Sequence, residues 1–492
     1  MATKRKSIYR LTKSKMLSFK QCPKKLYLDI NRKDLIEVDS GLQRIFDRGH
    51  QVGALARSLY GDGPTLDIMK GAAKAVDQTR TLIADGYRGP IYEAAFLHDE
   101  VLVLADVILV SDDGLKAIEV KSSTSVEDIN VFDCAVQYWV MKQSGHVPLD
   151  ISLSHIDTSF EYKGDDDYSG LLKNVSVLEE VLNLQDSMPS LVRSAKSVLD
   201  NEEPVVTMGK HCKTPYDCGF QQYCEGPLPE FPVKILPRVG NLRWELEAEG
   251  HKDLTQLPEG RLTNPVHIKV AKASTERSSW LNPDIAPTLR NLAYPRFYLD
   301  FETIQFAVPI WAGTRPYQQL PFQWSCKIER QPRKTSVINF LDLSGNAPMR
   351  DCAEKMLEAL EKDGPIIVYS GFEKMVINAL ADRFPDLAAD LHALLPRITD
   401  LLPIARENYY DYRMMGSWSI KKLLPTVCVD LDYSKLGKVQ DGGAAQDAYL
   451  EAISTKDPAI KEALRIDMLS YCEQDAEAMV RTMQFFCQQR DA

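Results

Sequence analysis

The chain has 492 residues, with 59 Lys and Arg against 69 Asp and Glu, a formal net charge of −10 and 44% hydrophobic residues. At about 150 residues per domain this length predicts about three domains, or two large ones. A charged fraction of 26% and a mean hydropathy of −0.25 exclude disorder as the default, and the longest apolar runs fall short of the about 20 residues that span a bilayer. Ten cysteines are too sparse for a disulfide scaffold. No membrane association and a cytoplasmic location are therefore expected.

Residues 1–25 carry nine Lys and Arg and no acid. No apolar core follows them, as a secretory signal would require. They read as a solvated basic arm or as one that contacts phosphates. The first block, 1–228, opens with a helical pattern over 14–31 and a second helix over 42–59. Three β-rich runs follow at 90–96, 101–110 and 115–120. Ser111-Asp112-Asp113-Gly114 marks a hairpin turn between the last two. A helix over 129–145 and a strand over 149–156 complete an α/β block with an antiparallel meander.

Proline and glycine punctuation marks borders near 204–237 and 258–295. Between them, 229–293 reads as a polar, mainly helical connector, with helices over 242–249 and 266–279. The last block, 294–492, starts with a short apolar strand at 295–301. Strands at 322–329 and 336–341 follow, then a helix over 350–362, a strand at 365–369, a helix over 373–384 and a closing helix over 459–488. Strands first and helices alternating afterwards suggest an RNase-H-like α/β layer. No Gly-x-x-x-x-Gly-Lys-Ser/Thr loop is present, so this chain encodes no P-loop motor.

Three constellations carry chemistry. In the first, Asp106 interrupts an apolar strand, and across the hairpin Glu119 and Lys121 lie two apart on one strand face. Two carboxylates and a lysine suit a Mg²⁺ or Mn²⁺ site, with the lysine near an attacking water. The order resembles the RecB-like branch of the PD-(D/E)XK nucleases, which includes the CRISPR-associated adaptation nucleases. Glu93 and Gln137 fit that resemblance. Gly53 stands where the branch carries a metal-binding histidine, with His50 three residues early, and Met141 stands where it carries a tyrosine.

In the second, Cys212, Cys218 and Cys224 cluster in a Pro/Gly/Tyr-rich stretch beside His211, and Cys22 is the candidate fourth ligand. Soft ligands at this spacing suggest metal rather than disulfides. The same branch holds a four-iron–four-sulfur cluster with one early and three late cysteines, so the resemblance implies that cofactor. Zinc on Cys₄ or Cys₃His is the alternative.

In the third, Asp300 and Glu302 share one strand face, and Tyr471 and Asp475, four apart, share one helix face. Glu373 follows the strand at 365–369. This pattern resembles the tyrosine-bearing DEDD exonucleases, as in RNase D. The resemblance implies two cations held by Asp300, Glu302, Glu373 and Asp475, with Tyr471 orienting water. Asp400 and the segment 416–423 match connecting parts of that fold.

The order of parts resembles an uncharacterised bacterial domain-of-unknown-function family that joins the two nuclease types. The resemblance implies a metal-dependent nuclease on DNA or RNA, single-stranded or with 3′ ends, with a two-metal 3′-5′ exonuclease site in 294–492, a candidate second nuclease site in 1–228, and a helicase or a defence system as partner. A nucleic-acid binding protein with an inactive N-terminal nuclease fold, acting in defence or repair complexes, is the alternative.

Overall fold

The computed structural model describes residues 8–36 and 40–488. Residues 1–7 of the basic segment lie outside them. The chain divides into two compact units: residues 1–226 with 306–317, and residues 227–305 with 318–492. Both are mixed α/β.

Unit 1 runs β1 (Leu11–Thr12), α1 (Lys13–Gln21), α2 (Pro23–Asn31), α3 (Ser40–Tyr60), α4 (Ala72–Ala84), β2 (Gly89–His98), β3 (Val101–Ser111), β4 (Gly114–Val120), α5 (Asp128–Gln143), β5 (Asp150–Ile156), β6 (Leu172–Ser176), α6 (Leu178–Leu184), α7 (Met188–Asp200) and α8 (Gln221–Glu225). The helix expected over 14–31 is two helices. Pro23 lacks an amide hydrogen and disfavours helical backbone at the residue before it, so Cys22 is extended (φ −165°) between α1 and α2. The hairpin forms at Asp112 and Asp113, with Gly114 at φ +137°. The sheet is mixed rather than a pure meander. β2, β3 and β4 are antiparallel, but the α5 crossover lays β5 parallel to β4, and β1 joins β3 in parallel. Leu11, Met16, Ile91, Val103, Ile108, Val136 and Ile151 are among the side chains of its core.

The basic segment from Arg10 to Lys25 is not a free arm. Arg10 pairs with Asp200, Lys24 with Glu203 and Lys25 with Asp29. Residues 306–317, between two strands of unit 2, belong to unit 1. There Ala307 and Val308 pack with Val52, Ile156 and Leu171, and Gly313 donates its amide hydrogen to Tyr162 O at 2.7 Å.

Unit 2 runs α9 (Asn241–Ala248), α10 (Pro265–Glu276), β7 (Ser279–Leu281), α11 (Ile285–Arg290), β8 (Arg296–Ile304), β9 (Leu320–Gln331), β10 (Lys334–Leu341), α12 (Met349–Ala359), β11 (Ile366–Val368), α13 (Phe372–Arg383), α14 (Ala388–Leu394), β12 (Ile398–Asp400), α15 (Leu401–Asn408), β13 (Tyr409–Asp411), α16 (Ile420–Val427), α17 (Gly442–Ser454) and α18 (Pro458–Gln488). Its main sheet has the order β10-β9-β8-β11-β12. The first three strands are antiparallel and the last three parallel, with β8 in the middle. Residues 229–293 are not a separate connector. Phe231, Val233, Leu246, Leu254 and Val270 share one core with Tyr298, Ile367 and Met479. α10 stops at Glu276, and Ser279 opens a strand paired with β13.

Gly416 belongs to a close approach within this unit. It sits at φ +74°, and a Cβ there would lie 1.7 Å from Ile235 O, so only glycine fits. Among the described residues no helix is long and apolar enough to cross a membrane.

Candidate functional site

The central strand β8 is buried along almost its whole length, and Asp300 and Glu302 project from one of its faces. The register against β9 shifts between Glu302 and Thr303; such irregularities re-aim side chains beside functional sites. α18 packs across β8 and β9. Gln323 of β9 donates to Met468 O at 2.9 Å, and Lys327 pairs with Glu477 at 2.6 Å. That packing brings Asp475 to the strand. Ligand oxygens of Asp300, Glu302 and Asp475 lie within 4.8 Å of one another. Among the described residues no other three His, Cys, Asp or Glu ligand atoms gather this closely.

Glu373, in the first turn of α13, is buried and is not one of the three. Its carboxylate approaches the Ser370 hydroxyl at 3.5 Å. Asp400 caps α15 by accepting from Leu402 N at 2.9 Å, a structural task.

Burial and mutual repulsion act on these acids together. Burial, and then the charges of Asp475, Glu302 and Glu373, raise Asp300 well above the usual carboxylate range. Burial and then Asp475 push Glu302 up to about 8. Burial above all pushes Glu373 up to about 7. A divalent cation would relieve this repulsion, and an all-oxygen donor set suits Mg²⁺ or Mn²⁺. The residues present therefore fit such an ion.

Three neighbours of the site were not read from the sequence. The Tyr433 hydroxyl donates to Asp475. Lys421 Nζ lies 4.9 Å from the Tyr471 ring centroid and 5.2 Å from that of Tyr433, and its charge favours the ionised forms of Glu302 and Asp475. Cys472 Sγ donates to Asp300 Oδ2 at 3.4 Å. Lys421 lies in the segment 416–423 noted above. Tyr433 follows no motif, and nothing in its local pattern would have singled it out. Burial and the adjacent carboxylates raise the phenols of both Tyr471 and Tyr433, so each stays protonated and serves as a hydrogen-bond donor rather than a base.

In unit 1, Asp106, Glu119 and Lys121 do converge. Glu119 is 2% exposed. Its Oε1 accepts from Lys121 Nζ at 2.8 Å and its Oε2 from Lys13 Nζ at 2.6 Å. Asp106 Oδ2 accepts from Val120 N at 2.7 Å. Asp133 accepts from Lys121 at 2.7 Å. Lys13 and Asp133 were not read from the sequence, because Lys13 lies 106 residues from Glu119 and Asp133 lies 12 from Lys121, with no strand or helix period to link them. Burial, and then the Glu119 charge, push Asp106 up to about 7, while the two lysines outweigh burial and hold Glu119 down at about 2. Asp106 and Glu119 do not form a three-ligand group, and both oxygens of Glu119 are engaged by ammonium groups. As arranged, these residues do not fit a divalent cation.

Cys22, Cys212, Cys218 and Cys224 line one cavity with His211. Gln21 Nε2 donates to His211 O at 2.8 Å and Tyr216 O at 2.7 Å, which ties α1 to the cysteine loop. No three of these sulfur and imidazole ligand atoms lie within 4.8 Å of one another. Sulfurs around a single zinc ion, each about 2.3 Å from it, stand about 3.8 Å apart, so the cage is wider than a zinc site. Among the described residues no two cysteines form a disulfide. Burial raises the Cys218 and Cys224 thiols. Cys134, Cys326, Cys352 and Cys472 are buried elsewhere.

Residues 297–419 match a family described as a domain of unknown function (DUF2779). That stretch contains Asp300, Glu302 and Glu373 and stops before Tyr471 and Asp475. No curated protein matches the chain. One solved structure with some similarity is described as the crystal structure of SSO0001. It is 12% identical over 37% of this chain and 75% of that chain, with a TM-score of 0.18, too low to carry an argument.

Proposed function

We propose that unit 2 is a divalent-cation-dependent nuclease that hydrolyses phosphodiester bonds of DNA or RNA from the 3′ end. The observation that carries this reading is the convergence of Asp300, Glu302 and Asp475 on one point at the middle strand of the sheet. The strand order, three antiparallel strands followed by two parallel ones, supports an RNase-H-like layer of the DEDD type. Asp300, Glu302 and Asp475 would hold Mg²⁺ or Mn²⁺, with Glu373 completing the set. When bound, such ions activate water and stabilise the leaving oxygen.

The chain's own groups have separate tasks. Tyr433 donates to Asp475 and orients its carboxylate. Tyr471, four residues before Asp475 on the same helix face, offers a protonated phenol that can hold a water or a phosphate oxygen. Lys421 brings positive charge against both rings, where it can meet a phosphate.

The test is digestion of 5′-labelled single-stranded DNA and RNA with Mn²⁺ or Mg²⁺. A ladder of products shortened from the 3′ end is expected, abolished by EDTA. Intact polymer with every cation would remove the reading.

We further propose that Cys22, Cys212, Cys218 and Cys224 hold a four-iron–four-sulfur cluster of structural use. The width of the cysteine cage supports it over zinc. Anaerobically purified protein should contain iron and acid-labile sulfide in equal amounts. Cys212→Ser should lose both and melt several degrees lower, consistent with roughly 2 kcal/mol or more of lost stability. Stoichiometric zinc without sulfide would overturn the assignment.

A further inference from the structure

The surroundings of Lys13 set the unit 1 cluster apart. Its Nζ lies 2.6 Å from Glu119 Oε2, 3.4 Å from Leu104 O, 3.4 Å from Gln137 Oε1 and 3.9 Å from Asp133 Oδ2. Carboxylate, amide and backbone oxygens converging on one point are the donor set that a hard divalent cation takes. Here an ammonium group has them. Lys121 Nζ bridges the other side, at 2.8 Å from Glu119 and 2.7 Å from Asp133.

The sheet explains how Lys13 arrives there. β2 pairs with β3 from Val101 to Val110 on one edge, with a break at Glu93 and Asp106. On the other edge, β1 pairs with Val101 and Leu102, and β4 pairs only from Val107 onward. Residues 103–106 have no strand partner on that edge. α1 begins at Lys13, directly after β1, so the lysine side chain enters the gap and reaches the Leu104 carbonyl. The position is built into the topology and does not depend on a flexible surface side chain.

Glu93 on β2 is a further carboxylate, near enough to Lys13 and Glu119 for their charges to act on it, and Arg57 faces it at 3.9 Å; the other positions supply no ligand. His50 on α3 is exposed. A Cβ built at Gly53 would have no heavy atom within 4 Å. Met141 is fully buried among apolar side chains.

We propose that the Lys13 ammonium occupies the place of a divalent cation in unit 1, so that this cluster is closed to metal and does not cleave. Buried carboxylates need compensating charge, and an ammonium fixed by the fold provides it permanently. Unit 1 then keeps the outline of a nuclease site without its reactive ion. The inference does not depend on the activity of unit 2.

The test uses the full chain carrying Asp300→Asn and Asp475→Asn, which silences the unit 2 carboxylates. Mn²⁺ is titrated in, and the free ion is counted by electron paramagnetic resonance. With Lys13 present, no bound Mn²⁺ is expected into the millimolar range. Adding Lys13→Ala or Lys13→Met should create a site for about one Mn²⁺ per chain, lost again when Glu119→Gln is added. Mn²⁺ bound with Lys13 in place, and released by Asp106→Asn, overturns the proposal. So does the absence of any gain in Lys13 variants that circular dichroism shows to be folded. If neither variant folds, the Lys13-containing protein decides alone: bound Mn²⁺ refutes the closure and its absence upholds it.

Discussion

Asp300→Asn should slow 3′-end trimming roughly 1000-fold, which corresponds to about 4 kcal/mol of transition-state stabilisation. The substitution keeps the size and shape of the side chain and removes one of the three carboxylates that converge within 4.8 Å. An amide oxygen is a weaker ligand for a hard cation than a carboxylate oxygen. The charge that would fix the ion beside the scissile bond is therefore reduced at its centre. Single-turnover digestion at saturating polymer and graded Mn²⁺ measures the effect. A rate within about tenfold of wild type would place the chemistry elsewhere. The variant should stay folded, which circular dichroism checks. Burial, and then the neighbouring carboxylates, hold Asp300 well above the usual carboxylate range, so a neutral side chain suits this position when no ion is bound.

Glu302→Gln carries that argument to stability, and its sign depends on pH. The folded Glu302 carboxyl is pushed from its ordinary 4.5 up to about 8 by burial and by Asp475. The folded state therefore binds more protons than the unfolded state between those values, and its stability falls as pH rises through that window. Below the window Glu302 is protonated in both states and glutamine changes little. Above about pH 8 wild type bears the full cost of the buried charge and the glutamine variant bears none. Without divalent cation, Glu302→Gln should be the more stable protein at pH 8.5, by about 2 to 4 kcal/mol. The two should be nearly equal at about pH 4, below the window. Saturating Mn²⁺ should reverse the order at high pH, because a ligand that binds only the folded state stabilises it by mass action and wild type binds it better. Melting curves at two pH values, with and without Mn²⁺, measure all four cases. Equal melting temperatures throughout would mean that Glu302 is not a strained member of a cation site.

What was legible in the sequence follows from the range of each signal. Asp300 with Glu302 and Tyr471 with Asp475 are spaced by the periods of a strand and a helix, so each pair could be read locally. The hairpin at Asp112 and Asp113 was equally local. Lys13 meets Glu119 across more than a hundred residues, and Tyr433 meets Asp475 across a stretch with no recurring spacing. No local period marks such contacts. The segment 229–293 was misread for a related reason. Its helices are polar on average, but Leu246, Leu254 and Val270 point into the core built around Tyr298 and Ile367. The split between α1 and α2 is marked locally by Pro23, which leaves Cys22 extended.

The passage of residues 306–317 into unit 1 bears on how this protein can be taken apart, whether by an experimenter or by evolution. Cutting after Gly226 would release a first half without Ala307 and Val308, which fill the cluster around Val52, Ile156 and Leu171. The remainder would carry that apolar loop between β8 and β9 with its packing partners gone. Neither half is a self-sufficient module at that cut. Recombination that shuffles whole folding units at their linkers would have to move two separated stretches of gene at once, so the two units should travel through descent as a pair. A separable first half would require those twelve residues to be grafted back onto its own end.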